Sequence, residues 1–298
     1  MKRRDFLKMT GTALTVAAAG GLSPLFGQQT PRPDVVWVEG GEPAALLAKA
    51  LEALGGMSSF VSKGDVVLVK PNIGWDRTPE YAANTNPELV EAVVKSCLEA
   101  GAKEVKIFDN TCNNAQRCYI NSGIQDKAEA AGAKVYHVQE DRFKSIKLTK
   151  GEILKEWPVY QDYFEVNKVI NLPIAKHHGL ATVTLGLKNL MGVMGGNRGE
   201  LHSPFRKLID VVADILPTLT IIDAYRMLVD HGPRGGDLAD VKLTKTLIAS
   251  PCTVAADVTA LELFGHQIKD IPHIADAIDR GLAKVDLKNL KPLKLKLG

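Results

Sequence analysis

From residue 34 onward, short apolar runs alternate with segments whose apolar residues recur at helical spacing. Strands are expected at Asp34–Glu39, Val66–Val69, Val105–Phe108, Lys134–Val138, Lys168–Leu172, Leu219–Ile222 and Thr246–Ala249. Helices are expected at Pro43–Leu54, from the Asn86-Pro87 cap to Ala100, and at Ile124–Ala131, Thr182–Leu190, Phe205–Leu216 and Pro251–Phe264. Proline at a first helical position and glycine just past the end (Gly101, Gly132, Gly265) punctuate several of them. Residues 141–165 break the pattern. They are rich in charge and aromatics, including Trp157, Tyr160, Tyr163 and Phe164, and fit a small antiparallel insert. The tail Lys291–Leu297 alternates Lys and Leu as a charged edge strand does. Alternating β and α with wholly apolar strands predicts an α/β fold, with a mainly parallel sheet flanked by helices.

Composition narrows the class. With 45% apolar and 24% charged residues, the 298-residue chain has enough apolar surface to fold. The formal charge of +3 comes entirely from residues 1–27, where Lys2, Arg3, Arg4 and Lys8 outnumber Asp5. The remainder is neutral and has no Lys/Arg-rich run, which argues against a nucleic-acid partner. Arg3-Arg4-Asp5-Phe6-Leu7-Lys8, followed by a mild apolar stretch from Met9 to Phe26, resembles a twin-arginine export signal. Residues 1–27 are therefore expected to be a signal peptide and 28–298 a single α/β domain. The Tat translocase would be the transient partner and the periplasm the destination. No later segment reaches about 18 uninterrupted apolar residues, so no membrane span is expected in the exported chain.

Four cysteines, Cys97, Cys112, Cys118 and Cys252, form no C-x-x-C pair, so no iron–sulfur or zinc-ribbon motif is present. Cys112 and Cys118 fit a disulfide, free thiols or soft metal ligands alike. Walker A, dinucleotide-binding, nucleophile-elbow and H-E-x-x-H patterns are also absent.

The chemistry is expected where strands end in polar residues. Val66–Val69 runs into Lys70-Pro71-Asn72, Val105–Phe108 into Asp109, Val169-Ile170 into Asn171 and on to Lys176-His177-His178, and Leu219–Ile222 into Asp223. In a parallel sheet these ends line one edge, outside which ligands of open α/β sheets bind. Between Asn171 and His202, Thr, Lys and Gly concentrate around Lys188, Asn189 and a Gly-rich turn, which suits a small anionic partner. The expected assignment makes Lys188, His177 and His202 catalytic. It gives Lys70, Asn72, Lys176 and Asn189 to the substrate, and makes Asp109 and Asp223 candidate carboxylate ligands of a divalent metal, with the identity of any cofactor left open. Adjacent His177 and His178 point in different directions, so at most one joins a given ligand shell.

Val-Leu-Val-Lys-Pro-Asn (67–72), the run from Thr85 to Val94, Val-Ile-Asn-Leu-Pro-Ile-Ala-Lys-His-His (169–178), Thr-Leu-Gly-Leu-Lys-Asn-Leu-Met-Gly (184–192), His202 and Ile-Ile-Asp-Ala (221–224) together resemble the domain of unknown function 362 family. The resemblance covers about residues 60–265. It implies an α/β fold and points to the same nine positions, from Lys70 to Asp223. Ferredoxin-like modules found in some members have no counterpart here. Two functions fit: an exported enzyme acting on a small anionic substrate, with or without metal assistance, and a non-catalytic periplasmic protein that binds a ligand or metal cofactor.

Overall fold

The computed structural model describes residues 32–298. The expected signal peptide at 1–27 lies outside them. The strands are β1 (Val36–Glu39), β2 (Val66–Pro71), β3 (Glu104–Ile107), β4 (Lys134–Val135), β5 (Phe143–Lys147), β6 (Glu156–Tyr160), β7 (Lys168–Leu172), β8 (Ile174–His178), β9 (Thr182–Thr184), β10 (Leu219–Leu228), β11 (Val241–Ser250) and β12 (Leu293–Lys296). The helices are α1 (Pro43–Ala53), α2 (Pro87–Glu99), α3 (Ala115–Asn121), α4 (Ile124–Ala130), α5 (Gly186–Asn189), α6 (Arg206–Val212), α7 (Thr253–Ala260) and α8 (Pro272–Asp279).

The main sheet runs β12-β1-β11-β10-β7-β2-β3-β4, with β8 paired to β10 and β9 to β8. It is mainly parallel, but β11 runs antiparallel to both β1 and β10. Successive side chains of a strand face opposite sides, and the two cores follow that alternation. Val67, Val69, Ile170 and Ile221 join Leu46, Leu47, Val90 and Val93 of α1 and α2 on one face. Leu68, Val169 and Ile222 join Leu208, Val254 and Ile274 of α6, α7 and α8 on the other. The 141–165 insert is an antiparallel hairpin, β5–β6. Its Trp157, Val159 and Tyr160 are buried in the second core. No helix among the described residues is long and apolar enough to cross a membrane.

Several elements differ from expectation. Thr182–Leu190 is not one helix. Its β-branched Thr182-Val183-Thr184 pairs back onto β8, Lys176 opposite Thr184, and only 186–189 turn α-helical. The strands at 219 and 246 extend into ten-residue arms with a bulge between Ala224 and Arg226. The short helices α3 and α8 were not expected. Asn114 accepts a hydrogen bond from the Arg117 amide at the start of α3, and Pro272 opens α8.

Candidate functional site

The C-terminal ends of β2 and β7 lie side by side, with Lys70 in register with Asn171. Asp109 follows β3 by two residues. α5, laid across these ends, brings Lys188 and Asn189. Together with β8 and the loop at 195–199 they enclose a cavity of about 670 Å³ lined by Lys70, Lys176, Lys188, Asp109, His178 and His202 among others.

Its floor is one continuous polar network. The Lys70 ammonium lies 2.8 Å from Asp109 Oδ1 and donates to Pro71 O at 2.7 Å and Asn189 Oδ1 at 3.3 Å. Asp109 Oδ2 accepts from the Ile73 amide at 2.6 Å. Asn189 Oδ1 also accepts from Asn72 Nδ2 at 3.0 Å, and its own Nδ2 donates to Lys70 O at 3.1 Å and Asn171 Oδ1 at 2.9 Å. Asn72 Oδ1 accepts in turn from Lys176 Nζ at 3.2 Å, and Lys176 also donates to Ala83 O. The Asn189 amide thus spends its full capacity of two donors and two acceptor sites inside the protein. Asn72 and Asn189 line the cavity, yet their side chains hold the lysines.

Gly192 is fitted to this floor. A Cβ there would lie 1.7 Å from Asp109 Oδ1 and 2.4 Å from Lys70 Nζ, so a side chain is excluded. Arg198 also lines the cavity, donating to Asn110 O at 2.6 Å and Thr111 O at 3.0 Å.

The three lysines are all buried, at 0% exposure for Lys70, 1% for Lys176 and 7% for Lys188. Lys70 has a carboxylate partner. Among the described residues, neither Lys176 nor Lys188 has one within 4 Å. Burial pushes the Lys176 ammonium down to about 7 and that of Lys188 down to about 8. Lys188 makes one polar contact, with the Met191 thioether sulfur at 3.2 Å. A short buried helix carries it. Asp257, fully buried, accepts from the Gly186 and Leu187 amides at 2.7 and 2.9 Å and so fixes the start of α5. Burial lifts the Asp257 carboxyl to about 7.

The two cavity histidines are held as different tautomers. His178 Nδ1 accepts from the Leu180 and Ala181 amides at 3.1 and 3.2 Å, which leaves its proton on Nε2. Burial, reinforced by the Lys188 charge, holds its basicity down to about 2. His202 Nδ1 faces Gly199 O at 3.2 Å and serves as the donor there, so its Nε2, buried and without a hydrogen-bond partner, is a free acceptor. Burial and Lys188 lower its pKa too. The rings stand 5.4 Å apart.

Of the nine expected positions, Lys70, Asn72, Asp109, Lys176, Lys188, Asn189 and His202 line the cavity; His177 and Asp223 do not. His177 Nδ1 accepts from the Gly232 amide at 3.0 Å, on the opposite side of β8 from Lys176 and His178. Asp223 is buried in mid-strand, accepting from the Asn86 and Tyr225 amides at 2.7 and 3.0 Å, and burial raises its carboxyl to about 6. Asp109 and Asp223 therefore share no ligand shell. The three-residue group among the described residues whose ligand atoms come within 4.8 Å is Asp230, His231 and Asp240, on an exposed loop. The four cysteines are free thiols. Cys112 is exposed at the cavity and Cys118 is buried in α3.

Sequence reasoning missed Asp257, Gly192 and Tyr119, whose hydroxyl accepts from the Asp109 amide at 2.7 Å. Among them only Gly192 carried a signal, as part of a Gly-rich turn.

Comparison with known proteins gives three findings. A thylakoid-associated protein of Synechocystis sp. is 30% identical over 253 residues, covering 80% of this chain and 74% of its own length. The lactate racemase apoprotein of Thermoanaerobacterium thermosaccharolyticum superposes with a TM-score of 0.50 at 12% identity over 78% of this chain, which establishes likeness of fold. The match spans 57% of that protein, little more than half its length. Residues 67–262 match the model of the family described as "Domain of unknown function (DUF362)", and this chain belongs to that family.

Proposed function

We propose that this chain is an exported enzyme that acts on a small organic anion held in the cavity. Lys70 and Lys176 supply positive charge to the anion, and Lys188 and His202 move the proton. The observation that carries the reading is the pair of buried lysines, Lys176 and Lys188, facing one cavity without a carboxylate partner. Buried charge without compensation is costly, and an incoming anion supplies the missing partner. His178, fixed with its proton on Nε2, donates to an oxygen of the substrate, and the unpartnered Nε2 of His202 accepts a proton. Asn72, Asn189 and Asp257 position the lysines. The cavity carboxylate Asp109 is already engaged by Lys70 and the Ile73 amide, so the charge and proton roles fall to the lysines and histidines. The resemblance of residues 1–27 to a twin-arginine export signal supports export as part of the same proposal.

Thermal unfolding of the purified chain with oxalate and with inorganic phosphate tests the binding half. Both are expected to raise Tm, and Lys176→Met is expected to abolish the rise. The catalytic half is tested by NMR detection of solvent deuterium entering 2-hydroxy and 2-oxo acids, with Lys188→Met as the control. Absence of any Tm rise with either anion overturns the reading. A rise without turnover of any acid in the panel replaces the enzyme with a periplasmic binding protein built on the same pocket.

A further inference from the structure

Three lysine amines face one cavity, and their commitments differ. Lys70 is tied to Asp109, Pro71 and Asn189. Lys176 is tied to Asn72 and Ala83. Lys188 alone of the three has no oxygen acceptor, its one polar contact being the Met191 sulfur. A thioether is a weak acceptor, and it does little to hold a proton on the amine. Lining the same cavity as Lys188 are His178, a fixed Nε2–H donor, and His202, whose Nε2 lone pair is unspent. Their surroundings are the parts an amine needs to attack a carbonyl: a nucleophile free of hydrogen bonds, a donor for the oxygen and a base for the proton.

Resting on the small-anion reading above, we propose that Lys188 forms an imine with the carbonyl carbon of a 2-oxo carboxylate whose carboxylate pairs with Lys176. The Lys188 nitrogen lone pair attacks the carbonyl carbon while His178 Nε2–H stabilises the developing alkoxide. The proton released by the nitrogen passes to His202 Nε2. His202 returns it to the alkoxide, giving a neutral carbinolamine; the second nitrogen proton then follows the same route through His202 to the hydroxyl, which leaves as water as the C=N bond forms. One amine and one carbonyl give one imine and one water, with no oxidant or reductant required. Burial that lowers the Lys188 pKa to about 8 keeps a sizeable share of the amine neutral and reactive near neutral pH.

The full chain is incubated with pyruvate, glyoxylate or 2-oxoglutarate and sodium cyanoborohydride, then digested and mapped by mass spectrometry. The expected result is a reduced adduct on Lys188. It should form roughly tenfold or more faster than on solvent-exposed lysines, because burial lowers its ammonium from 10.5 to about 8, and its rate should rise with pH through that value. Oxalate is expected to suppress it by competing for the carboxylate site. Lys188→Met is expected to lose the adduct, while oxalate still raises its Tm through Lys176, by less than in the wild type. An adduct rate on Lys188 no faster than on surface lysines, or preferential labelling of Lys176, overturns the imine. If oxalate still raises Tm in that case, the anion site stands and only the covalent step falls. If oxalate fails as well, both readings fall.

Discussion

Lys70 and Asp109, thirty-nine residues apart in the chain, meet at 2.8 Å at the floor of the cavity with almost no exposure to solvent. A buried pair of this kind costs much of what it gains, because both charges have left water. Its loss on one side is another matter, since the surviving charge stays buried. Asp109→Asn is expected to destabilise the fold by about 3–5 kcal/mol. The double variant Lys70→Met/Asp109→Asn is expected to recover most of that loss. Urea unfolding of the three proteins checks the ordering, and equal stability of single and double variants contradicts it.

The pH dependence of stability follows from the lysines. In the folded chain Lys176 and Lys188 lose their protons near 7 and 8, below the ordinary value of 10.5. Between those limits the unfolded chain binds more protons, so stability rises with pH from about 7 towards 10.5 and is lost as pH falls back. Below 7 the raised carboxyls of Asp223 and Asp257 oppose the depressed His178 and His273, and above about 9 the raised thiols of Cys97 and Cys118 oppose the lysines, so the window just above pH 7 is the cleaner one. Thermal melts from pH 7 to about 8.5 are expected to show Tm climbing in the wild type and a shallower climb in Lys176→Met. Oxalate, a dianion throughout that range, is expected to stabilise most at pH 7 and least at about pH 8.5.

Asp257 touches no cavity atom, yet it holds the first two amides of the helix that carries Lys188 and Asn189. Asp257→Ala leaves both N–H groups buried and unpaired. The expected cost is about 1–3 kcal/mol for each, together with weaker oxalate binding by isothermal calorimetry. Unchanged binding in the folded variant would show that α5 keeps its place without this carboxylate.

Thiol chemistry separates the cysteines. Cys112 is exposed at the cavity, whereas burial pushes the Cys97 thiol up to about 12 and that of Cys118 up to about 11. Iodoacetamide is expected to modify Cys112 first in the native chain, more slowly when oxalate is present. Mass mapping after partial reaction checks both parts, and a Cys112–Cys118 disulfide in the purified protein would block the first.

The sheet was legible in the chain because its strands are unbroken apolar runs, and the polar residues after β2, β3 and β7 do line one cavity. Asp223 misled because β10 runs ten residues while its apolar signal stops after four; what looks like a strand end is its middle. His177 misled for a different reason. Period-two alternation puts Lys176 and His178 on one side of β8, so accepting Lys176 already implied His178 as its companion. Lys188 was recognised on a stretch read as one helix that is in fact a strand and a short turn of helix. Asp257 was illegible, since nothing near position 257 announces that its carboxylate will meet residues seventy positions earlier.

The position of β1 has a practical consequence. It sits between β11 and β12, and α1 follows it with Leu46 and Leu47 buried against the sheet. β1, α1 and β12 all lie outside the stretch matched by the family model, 67–262. A fragment trimmed to those limits would leave β11 with an open row of amides and carbonyls and strip the apolar cover from one core. Such a fragment is expected to aggregate on expression, so biochemical work on this family member should start from residue 33 or earlier and run to the end of the chain.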